Sequence, residues 1–155
     1  MVKLNLSSQI VLNKVPEEFY HPKTAVELSE LTRCEKLPTT IFPKTEEGAL
    51  SIATTIANAI RQKQQSGQYC VLGLGTGSSL TPVFNELIRL HKEEKLSFSN
   101  VVVFNAYEYF PLQPSAKNST LNQLKERLLN HIDINPQNVF TLEGTVPQER
   151  VQESC

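Results

Sequence analysis

The chain has 155 residues, 39% of them hydrophobic, with 15 basic against 16 acidic side chains and a formal net charge of −1. That length suits one domain with a real core. The balanced charge offers no electrostatic capture of nucleic acid, and no apolar stretch approaches the ~20 residues of a membrane span. The start, MVKLNLSSQIVLNK, lacks the sustained apolar region of a signal peptide. Cys34, Cys70 and Cys155 lie far apart, with no CxxC and no metal-type spacing, so a reducing cytoplasm and no metal site are expected. Cys70 sits in an apolar run and reads as a small core residue.

In chain order, residues 1–38 are of mixed character: SQIVLNKV as a short strand, PEEFYHP as a turn, and KTAVELSELTRCEKL as a short amphipathic helix. TTIF (39–42) reads as a strand ended by Pro43. The helical face Ala49, Ala53, Ile56, Ala57 and Ile60 follows, with Thr45 as its N-cap, Glu46 and Glu47 in the first turn, and Gly67 as its stop. YCVLGL (69–74) and NVVVFN (100–105) are continuous apolar runs of strand length, as expected for strands buried on both faces. Between them Leu80, Val83, Phe84, Leu87 and Leu90 mark a helix running to about Lys95. A third helix carries Leu121, Leu124, Leu128 and Leu129, NVFTL (138–142) is a further strand, and VPQERVQESC starts another helix.

This alternation predicts βαβ units: a Rossmann-like α/β domain with a parallel sheet and helices on both faces. The chain stops at Cys155 inside an apparent helix with no cap, as expected of an incomplete piece of a longer protein. Residues 1–38 are read as an N-terminal extension and 39–155 as the N-terminal part of the domain.

The stretch VLGLGTGSSLTP (71–82) ends a strand in alternating glycines, then hydroxyls, then proline. Proline has no N–H and fits a helix only in its first turn, so Pro82 predicts a helix start near Ser78 or Ser79. The N–H groups of about Gly77 to Leu80 then form an anion site. Gly73, Gly75 and Gly77 permit close approach, and Thr76, Ser78 and Ser79 add hydroxyls. A nucleotide P-loop would need a lysine before the Ser/Thr, and GxGxxG fails because Ser78 holds its last glycine. The methyltransferase pattern hhDhGxGxG fails at Gly73 and Ser79. A phosphate-ester site and an ordinary tight turn before a capped helix both fit the loop.

The next strand runs into Asn105, Tyr107, Glu108 and Tyr109, at the strand ends where open α/β sheets bind ligands. Together, VLGLGTGSSLTP, LIRLHKEEKLSFSNVVVFNAYEY and NSTLNQLKERLLNHIDINPQNVFTLEGTVP resemble the glucosamine-6-phosphate isomerase/deaminase family, which is related to 6-phosphogluconolactonases. The resemblance covers residues 45–155. It implies that Gly75, Thr76, Gly77, Ser78 and Ser79 hold a sugar phosphate and that Asn105 binds substrate. It also implies that a carboxylate after the second strand moves a proton between sugar carbons 1 and 2 as ammonia leaves.

The family's FNxDEY places an aspartate where this chain has Tyr107, and keeps the glutamate as Glu108. A phenol, with a reference pKa of ~10, is a poor base at neutral pH, so Glu108 is the remaining candidate base, with Tyr107 the second catalytic position. Gly75 stands at the family's usual proline, Ser78 at its second glycine, and Thr120 at a tyrosine that helps close the site. The ring-opening motif GxGxDGHIAFNEP is not among these residues. His21, His91 and His131 are scattered and read as surface or capping groups, while Glu46–Glu47 and Glu93–Glu94 read as solvated helix faces. The implied protein is a hydrolase or isomerase of amino-sugar metabolism. It takes a small-molecule sugar phosphate, with no cofactor, no nucleic-acid or membrane partner, and a homo-oligomeric full-length parent. The alternative is a non-catalytic sugar-phosphate sensor with a degenerate site.

Overall fold

A computed structural model describes residues 22–34, 37 and 39–150; the expected strand in SQIVLNKV and the turn in PEEFYHP lie outside the described residues. The chain divides into two compact units, Met1–Gly48 and Ala49–Cys155. In the first, the expected amphipathic helix is α1 (Ala25–Thr32), started by a capping box in which Thr24 accepts from the Glu27 N–H and the Glu27 carboxylate accepts from the Thr24 N–H. TTIF is not a strand: residues 39–42 are irregular. Phe42 instead lies over Gly48, where a Cβ would stand 3.3 Å from its ring.

Helix α2 (Thr45–Gln65) begins at Thr45 itself, so that residue opens the helix rather than capping it. It turns Ala53, Ala57 and Ile60 into the core of the second unit. Gly67 ends it as expected, with φ +64, and the N–H groups of Gly67 and Gln68 bond back to the carbonyls of Gln64 and Lys63. Next come β1 (Cys70–Leu74), a 3₁₀ turn (Ser78–Leu80) and α3 (Thr81–Glu94). Lys95 closes α3 in the left-handed region at φ 56. Then follow β2 (Val101–Asn105), α4 (Thr120–Arg127) and β3 (Val139–Phe140). The expected last helix is a 3₁₀ turn, Gln148–Arg150, with the remainder outside the described residues.

The strands are parallel in the order β1-β2-β3, with Cys70 opposite Val101, Leu74 opposite Asn105, and Val103 opposite Val139. Cys70, Leu74, Val101 and Val103 share one core with Phe84 and Leu87 of α3 and Leu124 of α4. Burial pushes the Cys70 thiol up, outweighing the opposing charge of Lys63, as suits an inert core cysteine.

The opposite sheet face is open among the described residues. Val71 is 61% exposed, and Phe104, at 47%, stacks on Phe140 with ring centroids 5.0 Å apart. Expecting Val101 to Phe104 all to be buried was therefore wrong for Phe104 and half wrong for Val102. The reason is topological. A sheet extended in one direction by right-handed crossovers places α3 and α4 on the same face, and covering the other requires a reversal of strand order.

Val103→Asp should cost more than about 3 kcal/mol by burying an unpaired charge, whereas Phe104→Ser should cost only about 1 kcal/mol. Urea unfolding of the two variants measures this, and equal losses would mean that both faces are covered in solution.

Candidate functional site

The site forms where β1 and β2 end side by side, joined past their last residues by the Ala106 N–H donating to the Leu74 carbonyl at 2.8 Å. From β1 the chain enters the glycine-rich loop. Leu80 N–H donates to the Gly77 carbonyl and Thr81 N–H to that of Ser78, winding the 3₁₀ turn that carries Pro82 into the first turn of α3. The Leu80 amide is thus spent inside the turn, a correction to the expected donor set. The amides of Gly77, Ser78 and Ser79 have no acceptor among the described residues, and all three residues are exposed. Neither left-handed backbone nor packing demands glycine here. A Cβ would meet nothing within 4 Å at Gly73, Tyr107 Cε1 at 3.4 Å at Gly75, and Ser79 Oγ at 3.6 Å at Gly77. What the missing side chains leave is exposed backbone with unspent donors at residues 77–79.

Thr76 behaves differently from its neighbours. It is only 5% exposed; its Oγ1 lies 3.3 Å from the Tyr107 hydroxyl, and its carbonyl accepts from Arg127 Nη1 at 2.8 Å. Its hydroxyl therefore anchors the loop, whereas Ser78 and Ser79 are exposed and their hydroxyls have no partner among the described residues.

From β2, Asn105 is 6% exposed and donates through Nδ2 to Thr120 Oγ1 at 2.7 Å, and Thr120 in turn donates to the Tyr107 carbonyl at 2.5 Å. The Asn105 Oδ1 is buried with no partner among the described residues. Tyr107 and Tyr109 meet edge to face with centroids 6.0 Å apart.

Glu108 turns back to α4. Its Oε1 accepts from the amides of Tyr109 (2.9 Å) and Thr120 (3.0 Å), and its Oε2 from Ser119 Oγ (2.8 Å) and the Leu121 amide (3.3 Å). Ser119, as N-cap, accepts from the Asn122 amide. Burial pushes the Glu108 carboxyl up, but these four bonds outweigh it and leave the group below the ordinary glutamate value. Chemically, Glu108 is a carboxylate cap on a helix start.

The expected residues thus sort into two shells. Gly77, Ser78, Ser79 and Tyr107 (39% exposed) border the surface, while Thr76, Asn105 and Glu108 hold them in place. His91 and His131 are capping groups as expected, bonded to the carbonyls of Leu96 and Glu126, while His21 lies outside the described residues. Glu93 and Glu94 are not merely solvated, since both pair with Arg89. Among the described residues no cluster of three or more His, Cys, Asp or Glu could hold a metal, and no helix is long and apolar enough to cross a membrane. A cavity of about 210 Å³ lies elsewhere, against α4 and β3, lined by Leu121, Lys125, Leu129, Ile134 and Val139.

Two participants were missed from sequence. Arg127 gave no local signal, being one of two cations on a polar helix. Gly144 does leave a trace, as the lone glycine after the last strand. A Cβ there would stand 2.7 Å from the Leu112 carbonyl oxygen and 2.8 Å from that of Tyr109, while its own carbonyl accepts from the Leu112 amide.

A parallel α/β sheet with a glycine-rich loop and an acidic strand end gives the chain the architecture whose carboxyl strand ends are the usual ligand position of open α/β sheets. Residues 43–155 match the sequence model of the glucosamine-6-phosphate isomerases/6-phosphogluconolactonase family, and the chain belongs to that family. It is 54% identical over 154 residues to a glucosamine-6-phosphate deaminase-like protein of Bacteroides thetaiotaomicron, covering 99% of this chain and 23% of that protein. That likeness takes in nearly all of the N-terminal segment which the family match leaves out. Glucosamine-6-phosphate deaminase 2 of Giardia intestinalis is 41% identical over 112 residues, 72% of this chain and 40% of its own length. Among solved structures, a monomeric glucosamine-6-phosphate deaminase superposes with a TM-score of 0.66 at 32% identity, over 72% of this chain and 44% of its own. The 6-phosphogluconolactonase of Trypanosoma brucei, at 22% identity, shares the fold with a TM-score of 0.56 over 76% of this chain and 48% of its own. The chain spans less than half the length of each of these proteins.

Because the folded-state pKa of Glu108 lies below its unfolded value, its capping contribution is complete above the unfolded pKa of ~4.3 and is lost as pH falls through the folded one. The stability gap between wild type and Glu108→Gln should be widest at neutral pH and close on acidification below about pH 4; thermal melts across pH 3–7 read it, and a constant gap would rule out the carboxylate cap. Gly144→Ala should cost about 1–3 kcal/mol, because backbone oxygens rather than a movable side chain fill the space; an unchanged urea midpoint would contradict that packing.

Proposed function

We propose that this chain supplies the phosphate-binding half of a sugar-phosphate site, in a protein converting an amino-sugar phosphate to a ketose phosphate and ammonia without a redox cofactor. The observation carrying this reading is the outward-facing set of Gly77, Ser78 and Ser79 amides at a strand end, adjoining Tyr107, in a chain of this family. Three unspent donors in the loop and 3₁₀ turn that lead into α3 suit the three oxygens of a phosphate monoester, and the Ser78 and Ser79 hydroxyls add to them.

Moving a proton between sugar carbons 1 and 2 requires a base poised against a carbon-bound proton. Glu108 is the nearest carboxylate in sequence to the family's aspartate position, but four donors already occupy it. We therefore assign Glu108 to positioning α4, Asn105 to holding Thr120, and Tyr107 to the wall of the ligand site. The same occupancy, with tyrosine at the aspartate position, favours a second reading: sugar-phosphate binding without turnover. A solved deaminase 32% identical to the chain is monomeric, so neither reading needs a partner copy.

Two measurements separate these readings. Titrating phosphate into the chain should shift the amides of Gly77 to Ser79 at millimolar concentration; unmoved amides would discard the phosphate loop. For the full-length protein carrying this chain, ammonia release from glucosamine 6-phosphate should rise by roughly 10-fold or more in Tyr107→Asp, since a positioned base is worth ~10²–10⁴ in rate. The 155 residues alone should release none, having no counterpart of the ring-opening motif. Tight glucosamine 6-phosphate binding with no ammonia from either full-length form would decide for binding alone.

A further inference from the structure

Arg127 ends α4, 51 positions after the loop residue it touches. Its Nη1 donates to the Thr76 carbonyl at 2.8 Å, and no carboxylate lies within 4.0 Å of it among the described residues. Arg61 and Arg89, in contrast, are both paired with glutamates. So Arg127 brings to a single backbone carbonyl, in the turn where the donor loop begins, a positive charge with no carboxylate partner among the described residues.

The Thr76 carbonyl shares a peptide plane with the Gly77 N–H. In a trans peptide the two point in opposite directions, and the plane is rigid. Holding the carbonyl on the α4 side therefore holds the Gly77 N–H on the other, where it has no acceptor among the described residues. A charge-assisted bond is shorter and stronger than a neutral one, and drawing electron density toward the guanidinium also makes the Gly77 N–H a better donor. The second tether on the same residue, from Thr76 Oγ1 to the Tyr107 hydroxyl at 3.3 Å, restrains the side chain. Thr76 is thus held through both its backbone and its side chain, which biases the peptide after it toward this orientation.

We propose that Arg127 is a positioning residue for the anion loop: through the Thr76 carbonyl it fixes and polarises the Gly77 amide that faces the phosphate group of the ligand. The inference rests on the phosphate-loop reading above. It assigns α4 a part in binding that its sequence does not announce. The loop's donors are oriented before the ligand arrives, so little ordering is left to oppose binding.

The test is a phosphate titration of the full chain followed by backbone amide shifts, in wild type, Arg127→Met and Arg127→Lys. Wild type should bind with the Gly77 amide moving furthest. Arg127→Met should raise the dissociation constant ~10-fold and abolish the distinctive Gly77 response while Ser78 and Ser79 still move. Arg127→Lys, which keeps a charge and a donor, should recover most of both. A merely structural arginine would lower the melting temperature without changing which amide responds. If wild type binds phosphate and Arg127→Met binds it equally, with the same Gly77 shift, the Arg127 proposal falls while the loop reading stands. Should Arg127→Met fail to fold, a lysine variant with wild-type melting but no Gly77 response would overturn it equally. If wild type itself binds no phosphate, both fall.

Discussion

The four hydrogen bonds that converge on Glu108 are the constraint on which the site depends. One carboxylate at the end of β2 gathers the amides of Tyr109, Thr120 and Leu121 and the hydroxyl of Ser119, and so fixes where α4 starts. That start decides the position of Thr120, which ties Asn105 to the Tyr107 carbonyl. Seven residues on, the same helix carries Arg127 to the Thr76 carbonyl. The acidic strand end and the donor loop are thus linked through a helix more than ten residues downstream of the one and forty downstream of the other. A negative charge at a helix start is favoured by the helix dipole as well as by the free amides.

A second restraint acts at the other end of the sheet. Asp133 lies just beyond α4, and it accepts from the Phe98 amide at 2.6 Å and Ser97 Oγ at 2.7 Å. Burial raises its carboxyl, yet the bonds from Phe98 and Ser97 and the nearby His91 outweigh it and hold it below the ordinary aspartate value. The lead-in to β2 at Ser97 and Phe98 and the chain leaving α4 at Asp133 are therefore bonded to each other. That contact clamps the lead-in to β2 against the chain leaving α4.

Much of the fold was legible because periodicity is a local property of the chain. The helical faces of α2 and α3, the strands β1 and β2 and the stop at Gly67 all follow from where apolar residues and breakers fall. TTIF misled for the complementary reason: four strand-favouring residues do not make a strand without a neighbouring ladder. The half-open sheet misled likewise. A run such as VVVF is apolar on both faces, but periodicity cannot say whether a second layer of helices is there to meet Phe104.

By itself the sequence determined the order of elements, the glycine-rich turn beneath Pro82, and hence the outward-facing amides, because each follows from bonds made within a few residues. Tertiary structure alone decided which expected site residues keep spare hydrogen-bonding groups at the surface and which are bonded inside the fold. Glu108 had been expected as a base from its position after a strand, yet a helix start eleven residues on occupies both its oxygens. Thr76 had been expected as a ligand donor, yet Tyr107 and Arg127, thirty-one and fifty-one positions away, turn it into an anchor. A side chain's chemical type is written in the sequence, but its spare hydrogen-bonding capacity depends on which distant groups the fold brings to it.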